Sequence, residues 1–234
     1  RKAILKRGEQ IDIEKLKIRY FRLLEDERVS FLYPLLDKDT SSGKYNMTLR
    51  INPQKPFSAE FGGIFSSKPI NTGFIGLKYL RLGEVALSLE ANSYFGKFYG
   101  SLYGAIEADT YLPIRFRMKL FGVLNRWDYF RSFSTFFEDV RPSFIVEYEN
   151  FGGLLLEFPV FNRGKFGIKH KIGNYDMQYY QTANFSPSDT ADATQLFMNV
   201  SSIYYEESSL NKKQFANEGM YFVLKAKHAN LFEN

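Results

Sequence analysis

Cysteine is absent from the 234 residues, and histidine occurs only twice, at His170 and His228. Without thiols the chain has no disulfide staple, no thiolate nucleophile and no Cys-ligated metal. Neither histidine has a carboxylate at a recognised ligand spacing, so no metal site is expected. No unbroken apolar run reaches the roughly 18 residues of a helical membrane span. Gly-rich phosphate cradles of the GxGxxG or P-loop type are missing, which argues against nucleotide cofactors, and no other cofactor is expected. A GxSxG elbow is missing as well. GIFSS at 63–67 has the wrong spacing and alternates like a strand, so it is not read as a serine nucleophile. The chain starts at Arg1 with neither an initiator Met nor a signal peptide's apolar core, and the expectation is a processed chain or a piece of a longer one.

What is present describes a folded protein: 44% hydrophobic, 18% aromatic and 24% charged residues are incompatible with disorder. A net charge of +5, from 31 basic and 26 acidic residues, is too mild to announce a nucleic-acid partner. The mean hydropathy of -0.30 leaves a membrane barrel open, because strands that alternate apolar and polar side chains average to an ordinary value.

The period changes near Ile51. In 12–24, Leu16, Tyr20 and Leu23 recur at helical spacing behind Asp12, a good N-cap, with Lys15 and Arg19 on the wet side. Val29, Phe31 and Tyr33 then alternate with Arg28, Ser30 and Leu32 up to Pro34. After the turn formers DKDTSSGK, Tyr45, Met47, Leu49 and Ile51 alternate with polar residues. Residues 1–51 thus read as a helix carrying a hairpin, a small α+β module.

From residue 56 to 234 the sequence is a succession of alternating runs. The clearest sets Val85, Leu87, Leu89 and Phe95 against Ser88, Glu90 and Asn92. Another sets Ile114, Phe116, Met118 and Leu120 against Arg115, Arg117 and Lys119. Three cations on one strand face are costly in a dry core, so that face is assigned to a solvated interior together with Glu90 and Glu107. The oily set Val85, Leu87, Leu89, Phe95, Phe116, Met118 and Leu120 is assigned to lipid. Runs at 57–66, 74–82, 98–109, 144–149, 153–160, 165–172, 195–204 and 219–228 bring the expected strands to ten, each near the 9 to 11 residues of a tilted bilayer-crossing strand. The FGG tripeptides at 61–63 and 151–153 read as kinks or bulges. Rings crowd strand ends, notably Tyr94, Phe95, Phe98, Tyr99, Trp127, Tyr129, Phe130, Phe133, Tyr175, Tyr179 and Tyr180, as an interfacial girdle requires.

Two carboxylate pairs, Glu107 with Asp109 and Glu147 with Glu149, could serve a glycosidase, but they read more simply as polar-face residues answering the cations of 115–119. Basic and aromatic residues interleave over 114–133, yet on opposite strand faces, so single-strand nucleic-acid binding is discounted.

The stretches KIRYFRLLEDERVSFLYPLL, SGKYNMTLRI, FGGIFSSKPINTGFIGLKYL, YFGKFYGSLYGAIEAD and DYFRSFSTFFEDVRPSFI resemble the C-terminal region of patatin-like phospholipase family proteins of Bacteroidota. So does the segment from NYDMQYYQTANFSPSD to SSLNKKQFANEGM. The resemblance implies a POTRA-like module followed by a transmembrane β-barrel similar to the BamA/Omp85 superfamily, an incomplete section of a larger barrel. It implies an attached N-terminal patatin hydrolase, lipid metabolism in the parent, outer-membrane lipid around the barrel, a periplasmic POTRA-like part, and protein partners in an outer-membrane complex. No catalytic residue has a matching position here. About sixteen strands, a terminal aromatic residue and the superfamily's inserted-loop Arg-Gly motif would be expected, and none of these is legible. The competing expectation is a soluble β-barrel or β-sandwich with the oily parity turned inward to hold an apolar ligand or a protein partner.

Overall fold

The computed structural model describes residues 12, 13, 16, 17, 20, 29–41, 43–65, 71–110, 115–129, 145–160, 164–181, 188–210 and 217–233. Eleven strands account for most of them: β1 (Val29–Lys38), β2 (Tyr45–Pro53), β3 (Phe57–Ile64), β4 (Thr72–Arg81), β5 (Val85–Gly96), β6 (Tyr99–Thr110), β7 (Phe116–Tyr129), β8 (Ile145–Val160), β9 (Gly164–Tyr179), β10 (Asp192–Ser208) and β11 (Tyr221–Glu233). The chain divides into two compact units, Arg1–Phe57 with Leu80–Leu82, and Ser58–Tyr79 with Gly83–Asn234.

In the first unit the carbonyl of Asp12 accepts the N–H of Leu16 at 2.9 Å, the first helical bond expected of an N-cap residue. Ile13, Leu16, Lys17 and Tyr20 are helical. Leu23, Lys15 and Arg19 lie outside the described residues. β1 and β2 form a two-stranded antiparallel sheet. Its turn closes through Gly43 (φ 65°), whose N–H donates to Asp39, while the Asp39 carboxylate takes the N–H of Ser41 at 2.9 Å. Two expectations need correction here. The buried residue of β1 is Leu32, fully enclosed and with its carbonyl accepting from the Tyr20 hydroxyl at 3.0 Å, whereas Phe31 and Tyr33 stay about half exposed. A register shift between Val29 and Phe31 inserts a residue and turns the downstream parity over. The strand also continues beyond Pro34. A two-stranded sheet has only edge strands, where a proline facing outward costs no ladder bond.

The second sheet holds nine strands in the order β11-β10-β9-β8-β7-β6-β5-β4-β3, so each strand lies beside its neighbour in sequence. Every registered pair from β5 to β11 is antiparallel. The runs at 144–149 and 153–160 are one strand, β8, which makes nine where ten were expected. Phe151, Gly152 and Gly153 pair with Val123, Gly122 and Phe121 on one side and with Gly173, Ile172 and Lys171 on the other, without a slip, so this FGG is no bulge. The strands run from 8 residues in β3 to 17 in β10.

Side chains sort by parity into two faces. The strand contacts of this sheet run between sheet neighbours. Asp109 and Glu157, on the charged parity, are less than a tenth exposed, while Leu120 on the oily parity is 49% exposed. Unequal exposure in a single layer means that the sheet curls toward its charged face. The oily parity is therefore the outer one, and Leu87, Phe116 and Leu120 do not gather in a shared interior.

Candidate functional site: the two faces of the sheet

On the inner face the register aligns Asp109, Arg117, Glu157, Gly167 and Tyr204 across β6 to β10. Cross-strand neighbours on one face stand close enough for direct side-chain contact, and these residues use it. Arg117 Nε lies 2.9 Å from Asp109 Oδ1 and 3.2 Å from Glu107 Oε1, and its Nη1 is 3.5 Å from Glu157 Oε2. The Tyr204 hydroxyl donates to Glu157. Lys165 Nζ bridges Glu157 at 3.4 Å and Glu206 at 3.0 Å. Four carboxylates thus surround one guanidinium and one ammonium.

Of the residues assigned to a solvated interior, Arg117 and Glu107 meet directly, and Lys119 pairs with Glu107 in register while its Nζ sits 5.7 Å from the Tyr103 ring. Glu90, on β5, accepts from Asn92 at 2.7 Å. Arg115 precedes β7 and is exposed. Sequence reasoning missed Glu157, Lys165, Tyr204 and Glu206. Glu157 was concealed by its setting, LLLEF, where Leu155 on the same inner parity breaks the polar alternation.

Farther along, Asn125 donates to Glu149 at 3.1 Å and accepts from Ser101 at 2.7 Å. Glu149 therefore sits in an amide and hydroxyl network. No group of three His, Cys, Asp or Glu capable of holding a metal occurs among the described residues.

Elsewhere on the inner face aromatic side chains lie across glycines paired directly opposite them, Phe121 on Gly153 and, within the ion cluster's own row, Tyr204 on Gly167. A Cβ on Gly153 would sit 2.5 Å from Phe121 Cζ. Lys169 Nζ is 4.8 Å from the Phe121 ring centre, and Lys171 Nζ is 4.5 Å from that of Phe151. Each ammonium thus rests on a ring face.

On the outer face, Val85, Leu87 and Leu89 oppose Thr110, Ala108 and Ile106, while Phe116, Met118 and Leu120 oppose the same three from the other side. Phe95 faces Gly100 near the rim. The seven residues assigned to lipid share this one surface. It has defined limits. At one rim, Phe158, Phe166 and Tyr205 stand in register on β8 to β10, with Phe116 of β7 6.1 Å from Phe158 and Phe222 of β11 6.4 Å from Tyr205. At the other, the outward positions turn polar: Arg126 is 3.0 Å from Asp128 and lies over the Tyr148 ring.

Ten residue steps separate Phe116 from Arg126. At about 3.4 Å per residue and a tilt of about 35–45°, they span about 24–28 Å along the barrel axis, which matches an apolar band about 25 Å tall. The expected girdle rings fall differently: Tyr94, Tyr99 and Trp127 take the inner parity and contact one another, and Phe130 and Phe133 lie outside the described residues. The outward row at the opposite rim went unread because its rings come singly from five strands.

Midway between the two rims the outer face has a bare patch. Gly104, Gly122 and Gly152 stand abreast on β6, β7 and β8. They floor an apolar cleft of about 650 Å³ walled by Leu102, Leu124 and Ile172.

No protein-family model matches the chain, and no curated protein does. A solved structure does: BamA from Haemophilus ducreyi lacking POTRA domains 1-3, with a TM-score of 0.59 at 12% identity. The match covers 97% of this chain and 44% of that one, so this chain spans less than half the length of the structure that it resembles. In fold, the nine antiparallel strands are those of a BamA-type β-barrel.

Proposed function

We propose that residues 56–234 are transmembrane strands of an outer-membrane β-barrel and that residues 1–51 are a periplasmic POTRA-like module. One observation carries this reading: an outward apolar band of bilayer height, bounded by an aromatic row on one rim and by Arg126 and Asp128 on the other, backed by a charged inner face. Val85, Leu87, Leu89, Phe95, Phe116, Met118 and Leu120 contact lipid, and Arg115, Arg117, Lys119, Glu90 and Glu107 line the hydrated lumen. Of the three longest connections in the large sheet, 130–144 and 180–191 leave the rim opposite the one at which β3 begins, and 209–220 leaves the same rim as that start.

The quoted stretches support a finer reading, in which the barrel belongs to a patatin-like phospholipase-type protein and anchors or translocates an attached hydrolase. In that reading the segment positions the enzyme and does no bond chemistry itself. Its partners are outer-membrane lipid, the hydrolase and neighbours in an outer-membrane complex.

The test is gel mobility of the full parent protein in detergent with and without heating. A folded barrel migrates differently from its heated form, and a parent that stays soluble and monomeric without detergent overturns the reading.

A further inference from the structure

Along the inner face of β9, β10 and β11 positive charge gathers around one serine. Ser202, 8% exposed, stands opposite Lys169 on one side and Lys227 on the other. Lys171 lies two residues along β9, opposite Val200, and Lys225 two residues along β11, opposite Tyr204, so the four ammonium groups share the inner parity. Two strand spacings, about 10 Å, separate the lysines of β9 from those of β11, and two residue steps, about 7 Å, separate the members of each pair. Side chains as long as these can converge over Ser202.

Counter-charge is close by but already committed. Glu157 accepts from Tyr204 and lies 3.5 Å from Arg117 and 3.4 Å from Lys165, and Glu206 is 3.0 Å from Lys165. Among the described residues none of the four lysines forms an ion pair. Lys169 and Lys171 rest on the rings of Phe121 and Phe151, which hold them in place without discharging them. Like charges at this spacing repel, and a low-dielectric wall behind them strengthens their field in front. The chain thus concentrates cations here while directing the neighbouring carboxylates elsewhere.

We infer that this arc of the inner face binds the phosphate groups of a water-borne solute, an inference that rests on the membrane-barrel reading above. Lysine offers phosphate a point charge with three rotatable donors and does not demand the fixed fork of a guanidinium. The Ser202 hydroxyl adds a neutral donor between the two lysines that flank it. Two linked phosphates suit the pattern better than one, because the cations form two pairs that lie two strands apart. A soluble carrier is favoured over a lipid head group because the patch faces the hydrated bore, whereas the opposite parity faces acyl tails.

Pyrophosphate is the probe, followed by equilibrium dialysis against the full parent protein folded in neutral detergent. Salt is held at about 0.15 M, where exposed charges more than about 8 Å apart are screened. The expected result is saturable binding that weakens about tenfold or more in the joint Lys169→Gln and Lys227→Gln variant. It should persist in the joint Lys169→Arg and Lys227→Arg variant, and in joint Lys38→Gln and Lys44→Gln, which removes equal charge from the first unit. Ser202→Asp supplies the counter-charge from within the chain and should abolish binding while heat-modifiable mobility is kept. Equal weakening in both glutamine variants would reduce the effect to diffuse attraction and overturn the site, as would undiminished binding in Ser202→Asp. If the parent keeps its heat-modifiable mobility and binds no pyrophosphate, the site is overturned and the membrane reading stands. If that mobility is absent from the parent itself, both are overturned. Displacement of pyrophosphate by micelles containing phosphatidic acid would overturn the assignment to a soluble carrier.

Discussion

Leu120→Arg puts a charge at the centre of the outward band. Leu120 is four residues past Phe116 and six short of Arg126, its side chain is half exposed, and its cross-strand neighbours Ile106 and Leu154 are apolar. If acyl tails cover it, the guanidinium costs about 2–4 kcal/mol at that depth, roughly 30- to 1000-fold in the folding equilibrium, against about 0–1 kcal/mol for Tyr148→Arg beside the charged rim. The assay is the urea dependence of folding into lipid vesicles, read as the heat-modifiable fraction. If water covers the face instead, an exposed leucine with little packed on it becomes an exposed arginine, and both substitutions stay within about 0.5 kcal/mol. Equal, small costs at Leu120 and Tyr148 would refute the lipid-facing assignment. A large cost that does not diminish toward the rim would refute the placement of the band. Lys119→Leu, next door on the inner parity, should leave insertion intact.

Arg117→Leu should also insert normally, but it leaves Glu107, Asp109 and Glu157 without their shared cation. Because Arg117 is 41% exposed, a loss of about 1–2 kcal/mol is expected, below that of a fully buried pair, and a double-mutant cycle with Glu157→Gln should show coupling. Gly153→Ala would bring a Cβ within 2.5 Å of Phe121 Cζ and 2.7 Å of the His170 carbonyl, so vesicle-folding titrations should show a loss of about 1–3 kcal/mol. Gly122→Ala meets nothing within 4 Å and should be neutral or stabilising by about 0.4–1 kcal/mol in the same titrations. In the first unit, Tyr20→Phe removes the bond to the Leu32 carbonyl and should lower that unit's resistance to proteolysis by about 0.5–1.5 kcal/mol.

The faces of β5 and β7 were legible because charge alternates with oil there without interruption: 85–95 and 114–124 display their parity in the letters themselves. β8 was not, since Phe151-Gly152-Gly153 has the composition of a turn but the register of a continuous strand. Parity alone also cannot see a bulge, and this is why β1 buries Leu32 instead of Phe31. The ion cluster was half visible. Arg117, Glu107 and Asp109 come from two clean amphipathic strands, whereas Glu157, Lys165, Tyr204 and Glu206 come from strands whose inner parity also carries Leu155 and Val200. An interior that mixes charge with aliphatic and aromatic filling dilutes the signal that a uniformly wet face would give. The aromatic row of the outer rim appears only when five strands are set side by side, a juxtaposition no local window contains.

The rings laid across Gly153 and Gly167 have a mutational corollary: each fills the volume that a facing side chain would need, so the inner wall keeps its aromatic filling only while those two positions stay bare. Any enlargement at Gly153 displaces the Phe121 ring, and with it the platform beneath the Lys169 ammonium of β9.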